Sequence, residues 1–425
     1  MKRMFALAVL LASGAVVAAL AYEAAAQDRT YRAYLSQGAA ALADDQTFGA
    51  IEAYSGAIAL QPDSMLAYLR RGEAYQRRNE LEAATNDFRR AADLDPSATR
   101  PLEALGDVLY QRGRYQRSAE VFERRLAVDS LSPRVTLKLA VARYRAGQID
   151  AALASAQEAV RLDGTMVDAH YLIGMCLSDK QQPVEAAAAF EKAASIAPAF
   201  IPAREELAEL YAALGRRGDE LEQLQLIAVL DRARPERQVA LGLAQARTGQ
   251  EELAVLTLGH ALDRTPDHPL IYGALGQVWL RQATSRGDTI ALGKALEALE
   301  RAASTDDATS TILDAYGRAL LMDNQIEAAE RVLLQATRRY PVDPSALATY
   351  AAVAERLNHA AAARTALVDY GALVADEPDF GARAASIARL SLRLNDQATA
   401  ASWIARGLDK DPGNAALQAL DTRVK

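Results

Sequence analysis

The residues that could do chemistry are few and far apart. Cys176 is the single cysteine of the chain, so no intrachain disulfide can form. It sits in the apolar run YLIGMCL, six residues after His170, which is not same-face spacing on a helix. A nucleophilic thiol needs a base held beside it. Without one, Cys176 reads as a small, buried packing residue. His170, His260, His268 and His359 show no metal-ligand spacing. The sequences H-E-x-x-H, G-x-S-x-G and C-x-x-C do not occur. The stretch GDTIALGKA approaches a phosphate-binding loop, but it has one residue too many between its glycines and Ala295 where Ser or Thr is required. Glu205–Glu206 and Glu251–Glu252 are adjacent carboxylates of the kind used in acid–base work. Such pairs are common on solvated helix faces, which is the plainer reading. No catalytic residue, cofactor or metal is expected.

The elements that would carry any site are helical. In 425 residues Leu and Ala dominate and only 6% are aromatic, which suits packed helices better than sheets. The formal net charge of −7 argues against generic nucleic-acid binding, which needs a basic surface. At the N-terminus Lys2 and Arg3 precede FALAVLLASGAVVAALA, and Ala24 and Ala26 form a small-x-small pattern before Gln27. Residues 1–26 are therefore expected to be a signal peptide cleaved after Ala26. The competing expectation is a retained membrane anchor, because the apolar run from Phe5 to Ala21, about 17 residues, lies at the lower limit for a bilayer span. No cysteine follows the run, which excludes a lipoprotein anchor. Either way the chain is expected to be exported: periplasmic, or anchored to the inner membrane facing the periplasm.

A period of 34 residues organises the rest of the chain. Gly38, Gly72, Gly106, Ala140, Gly174, Ala208, Gly242 and Gly276 form one column of small residues. Tyr54, Phe88, Phe122, Ala156, Phe190, Leu224 and Leu258 form a second, mostly large. Ala50, Ala84, Ser118, Ala152, Ala186 and Ala254 form a third, broken by Glu220. Pro62, Pro96, Pro198 and Pro266 mark a fourth. The register slips by seven residues within RQATSRGDTIALGK and recovers at Ala295, Leu299 and Ala302, then at Gly317, Ala329 and Leu333. A slip of about three residues falls near VADEPDF.

These columns resemble the tetratricopeptide repeat. From Tyr68 to Pro96 the matching residues are Tyr68, Gly72, Tyr75, Ala84, Phe88, Ala91 and Pro96, with Arg71 where the family has Leu. The resemblance implies an all-α fold: a right-handed α-solenoid of about eleven stacked helix-turn-helix units, each with a glycine where its first helix meets a large residue of its second. The expected organisation is a repeat array over residues 27–414, with insertions near 281–290 and 368–380, the first read as lying between helices. Residues 415–425 are expected to start a capping segment. Gly72→Leu is expected to overpack the pair and the same change at Arg78 to do little.

The resemblance also implies that partners bind on the concave surface, lined by first helices. The positions there are Leu69, Glu73 and Gln76; Glu103, Asp107 and Tyr110; Leu137, Val141 and Tyr144; Tyr171, Met175 and Ser178; then Glu205 and Glu209. The Lys/Asn clamp by which co-chaperones of this family hold a peptide carboxylate is missing, and Glu73 and Asp107 would repel such a group. From Arg70 to Arg145 there are 16 basic and 11 acidic residues, with Arg77 among the basic ones. That excess reads either as solvated faces with i,i+4 pairs or as a basic section for an acidic partner, a lipid surface or an anionic polymer. Tyr110, Tyr144 and Tyr171 read either as interface anchors or as packing between helices. The candidate partner-binding residues are thus Glu73, Arg77, Asp107, Tyr110, Tyr144 and Tyr171. The expected function is a non-enzymatic scaffold for proteins or peptides in assembly of a bacterial envelope complex. Two alternatives stand: a membrane-anchored structural subunit, and a factor that binds or exports an anionic polysaccharide.

Overall fold

The computed structural model describes residues 2–374 and 379–424. Among the described residues there are twenty-three helices and no strand, an all-α solenoid. The chain divides into two compact units, Met1–Leu207 and Ala208–Lys425. In the first, α1 (Lys2–Ala43) packs on α2 (Thr47–Leu60), α3 (Met65–Arg77) on α4 (Leu81–Leu94), and α5 (Thr99–Gln111) on α6 (Tyr115–Val128). There α7 (Pro133–Arg145) packs on α8 (Ile149–Leu162), and α9 (Val167–Asp179) on α10 (Pro183–Ile196). Helix α11 (Ile201–Ala213) carries the boundary, and α12 (Arg217–Leu230) comes next. In the second unit α13 (Pro235–Arg247) packs on α14 (Glu251–Arg264), α15 (Pro269–Arg286) on α16 (Thr289–Ala303), and α17 (Ser310–Met322) on α18 (Ile326–Ala336). Then α19 (Pro344–Arg356) packs on α20 (Ala360–Leu373), and α21 (Phe380–Arg393) on α22 (Gln397–Lys410). With α11 and α12, the series in sequence is eleven pairs. Helix α23 (Ala415–Val424) closes it by burying Leu417 and Leu420 against Ala384, Ala388 and Ile404.

Small-against-large packing builds each pair. A Cβ on Gly106 would stand 2.5 Å from the Phe122 ring, and one on Gly174 2.5 Å from Phe190. Gly38 faces Tyr54 in the same way. In the second unit Gly242, Gly276 and Gly317 face Leu258, Leu299 and Leu333. Ala84, Ala91 and Phe88 are fully buried. The turn inside each pair has its own column. Asp45, Asn79, Gly113, Gly147, Gln181, Gly215 and Gly249 recur every 34 residues, with φ from 56° to 80°. That left-handed conformation ends one helix and aims the chain into the next.

Departures from the columns are explained by pairing. Arg71 grips Asp87 with two hydrogen bonds, of 2.8 and 2.9 Å, and also donates to Ser55. Glu220 is buried and ion-paired to Arg247. Arg78 is not a neutral surface position: its guanidinium lies 3.3 Å from the Phe48 ring centroid and bonds Glu80. The residues near 281–290 are largely helical. Helix α15 has 18 residues where α13 and α17 each have 13, and α16 starts at once under an Asp288 cap that accepts from the N–H groups of Ile290 and Ala291. Of the second expected insertion, residues 375–378 lie outside the described residues, as do Met1 and Lys425.

Candidate functional site

Three first helices of the first unit, α5, α7 and α9, enclose a groove of about 640 Å³. Each supplies residues from matching positions of the period, so side chains far apart in sequence share one surface. Asp107 and Tyr110 come from α5; Leu137, Val141 and Tyr144 from α7; Tyr171 and Met175 from α9. Leu172 and Phe122 complete the apolar lining, which also includes the charged Arg134, Lys138, Arg145 and Asp168.

The tyrosines both line the groove and pack. The Tyr110 ring meets Tyr115 edge-on, with centroids 5.1 Å apart. Tyr171 lies against Phe190 at 5.5 Å and Phe200 at 5.4 Å, and its hydroxyl donates to Glu206 at 3.4 Å. Burial pushes the Tyr144 hydroxyl up to about 12, helped by its hydrogen bond to Asp179. Burial likewise pushes Tyr171 up to about 12, helped by the charge of Glu206. These rings are held by their neighbours and present one face to the groove, an arrangement that costs little side-chain entropy when a ligand lands on it.

The acidic positions are neutralised from the next repeat. Lys138 Nζ donates to Glu103 and to Asp107, each at 2.7 Å, and Arg134 also bonds Glu103. Burial tends to raise the Glu103 carboxyl, but Arg134 and Lys138 outweigh it and hold Glu103 below the usual range. Burial pushes Asp107 up against the pull of Lys138. Glu73 accepts from Arg70 at 2.9 Å and from Arg100 at 2.8 Å. The expected repulsion of a carboxylate by Glu73 and Asp107 is therefore largely cancelled by their partners.

Not every expected position reaches the groove. Leu69 is buried in the core with Phe88 and Leu105. Arg77 donates to the carbonyl of Leu42 at 2.9 Å, fastening the end of α1. Neither Glu73 nor Arg77 lines the groove, whereas Asp107, Tyr110, Tyr144 and Tyr171 do. Part of the basic excess is also spent on structure. Arg112 bonds Thr85, and Arg125 is buried against Asp129. Arg114, Arg117 and Arg124 remain exposed. Cys176 is buried, which pushes its thiol up to about 11, away from nucleophilic use at neutral pH. No group of three or more His, Cys, Asp or Glu side chains among the described residues is placed to hold a metal.

A family model described as a tetratricopeptide repeat matches residues 35–99, 69–130 and 137–199, the region that holds this groove. Residues 35–130 and 137–199 are tetratricopeptide repeats. A crystal structure of the MamA protein is similar at 20% identity, over 40% of this repeat protein and 92% of that chain, with a TM-score of 0.39. One of YrrB, described as a TPR protein with an unusual peptide-binding site, is 24% identical over 43% of this chain and 95% of its own, at a TM-score of 0.38. Yeast Tom70 is 12% identical over 92% of this chain and 99% of its own, at 0.44. No curated protein matches the chain. A tetratricopeptide-repeat protein is a scaffold for protein–protein interaction.

Proposed function

We propose that this repeat protein is an exported, non-enzymatic scaffold of the bacterial envelope, which holds a protein or peptide segment over α5, α7 and α9 during assembly of an envelope complex. The observation that carries the reading is the groove itself. Three fixed tyrosines, Leu137, Val141 and Met175 give a groove of about 640 Å³ a largely apolar lining, beside the charged Asp107, Arg134, Lys138, Arg145 and Asp168. Its Asp107 is tied to Lys138 in an ion pair.

Export is supported by the residues before Gln27 and by how α1 packs. Val16, Val17, Leu20 and Tyr22 are exposed, whereas Tyr31 is buried and its hydroxyl lies 2.6 Å from Ser64 Oγ. Cleavage after Ala26 would leave the packed part of α1 whole.

Two measurements test this. A photo-crosslinker at Val141, in cells, is expected to capture one stoichiometric protein that the same group at exposed Arg117 does not. Equal capture at both sites, or none at Val141, would remove the scaffold reading of this groove. Mass spectrometry of the native N-terminus is expected to find Gln27 first. An intact Phe5–Ala21 segment would instead favour the anchored subunit.

A further inference from the structure

The second unit contains a groove of its own, of about 810 Å³, lined by first helices α13, α15, α17 and α19. The lengthened α15 walls it: Thr284, in the extra turn, lines it beside Met322, with its hydroxyl 3.4 Å from that sulfur. The floor is apolar, with Leu243, Val278 and Met322, and Met322 is 44% exposed. Three arginines stand around it: Arg247, Arg281 and Arg318.

Each arginine is backed by a covered carboxylate. Arg247 pairs with Glu220, with side chains 47% and 7% exposed. Arg281 lies 3.3 Å from Glu251, at 49% and 10%. Arg318 lies 3.2 Å from Asp314, at 53% and 1%. The carboxylates are thus hidden while the guanidiniums stay half open. A guanidinium has five N–H donors in a rigid fork. A carboxylate behind it occupies part of the fork, fixes the side chain, and leaves the other donors facing outward. Ordering three arginines in advance removes much of the entropy that a ligand would otherwise have to overcome. The first-unit groove differs, since its cations share the lining with Asp107 and Asp168. In the second, the one acidic side chain in the lining, Glu251, is covered.

From this we infer that the second-unit groove is a separate binding site for an acidic protein segment, with Asp or Glu carboxylates on the three arginines and a large apolar side chain on Leu243, Val278 and Met322. The site is independent of the groove over α5, α7 and α9, so each can fail without the other.

A phage-displayed library of random dodecapeptides, panned on the full chain, supplies the probe. The expected winners are rich in Asp and Glu around Leu, Ile, Phe or Met. A fluorescein-labelled winner, followed by anisotropy, is expected to bind at least about tenfold more weakly to Arg281→Gln/Arg318→Gln. Its binding is also expected to weaken as salt rises from about 0.05 to 0.5 M. Removing the arginines leaves Glu251 with only Arg286, at 3.7 Å, and Asp314 with only the Ser345 hydroxyl, and can unfold the unit, so Met322→Asp serves beside it. Met322 has no ion pair to lose, and this change alone is expected to abolish binding with the melting curve unmoved. Arg117→Ala, on the exposed surface of the first unit, is expected to leave the probe's binding unchanged. Winners without acidic bias, no winners at all, or acidic winners indifferent to both second-unit variants would each overturn the inference.

Discussion

Gly72 lies flat against the ring of Phe88: a Cβ there would stand 2.6 Å from Cε1 and 2.7 Å from Cδ1. The contact is a lock between the two helices of one repeat. Gly72→Ala is expected to cost about 1–3 kcal/mol by overpacking, and Phe88→Leu about 1 kcal/mol alone. Combined, they are expected to cost less than the sum by about 1 kcal/mol, because Leu leaves room for the methyl. Urea unfolding of the four proteins measures this, with Arg117→Ala as an exposed control. Strict additivity would mean that the two residues do not touch.

Arg71 stands where the repeat family has leucine, yet Arg71→Leu is expected to destabilise by about 3–5 kcal/mol. The change leaves the carboxylate of Asp87, which is 5% exposed, buried without its cation. Arg71→Leu/Asp87→Ala is expected to recover most of the loss. Thermal melts decide it, and a double variant as weak as the single would show that the ion pair is not the cause.

Gln181 holds φ = 56°, where the corresponding turns mostly use glycine or asparagine. A left-handed conformation strains a side chain with a Cβ. Gln181→Gly is expected to gain about 0.5 kcal/mol, the relief of strain exceeding glycine's extra entropy when unfolded. A lower melting temperature would contradict this.

Tyr144 and Tyr171 ionise near 12 in the fold and near 10 in the free phenol. The folded state therefore keeps its protons longer than the unfolded one. The contribution is constant below pH 10, and stability falls as pH rises from 10 towards 12. Urea midpoints above pH 10 are expected to decline less steeply in Tyr144→Phe/Tyr171→Phe than in the parent. Identical slopes would place the effect elsewhere.

The sequence by itself determined the repeat. A clash between Gly72 and Phe88 is local to one pair, and so is the proline that ends it, so both leave a column with a period of 34. The turn column of Asp45, Asn79, Gly113, Gly147 and Gln181 needed the structure, because residue types this different show themselves as one column only through their shared positive φ. Register also placed Asp107, Tyr110, Tyr144 and Tyr171 on one side of successive helices, where the groove is found. Tertiary structure decided what those positions face. Leu69 shares its register with Glu103 and Leu137, but its helix turns that side chain into the core. The charges of Glu73, Glu103 and Asp107 are settled by arginines and a lysine about one repeat away, and Arg77 by a carbonyl 35 residues back. The second-unit groove was hidden for the same reason. The extra residues look like a loop in one dimension, and only folding turns five of them into the added turn of α15 that walls the groove. Periodicity records what each repeat asks of itself. Burial and ion pairing depend on neighbours that the chain brings together only when it folds.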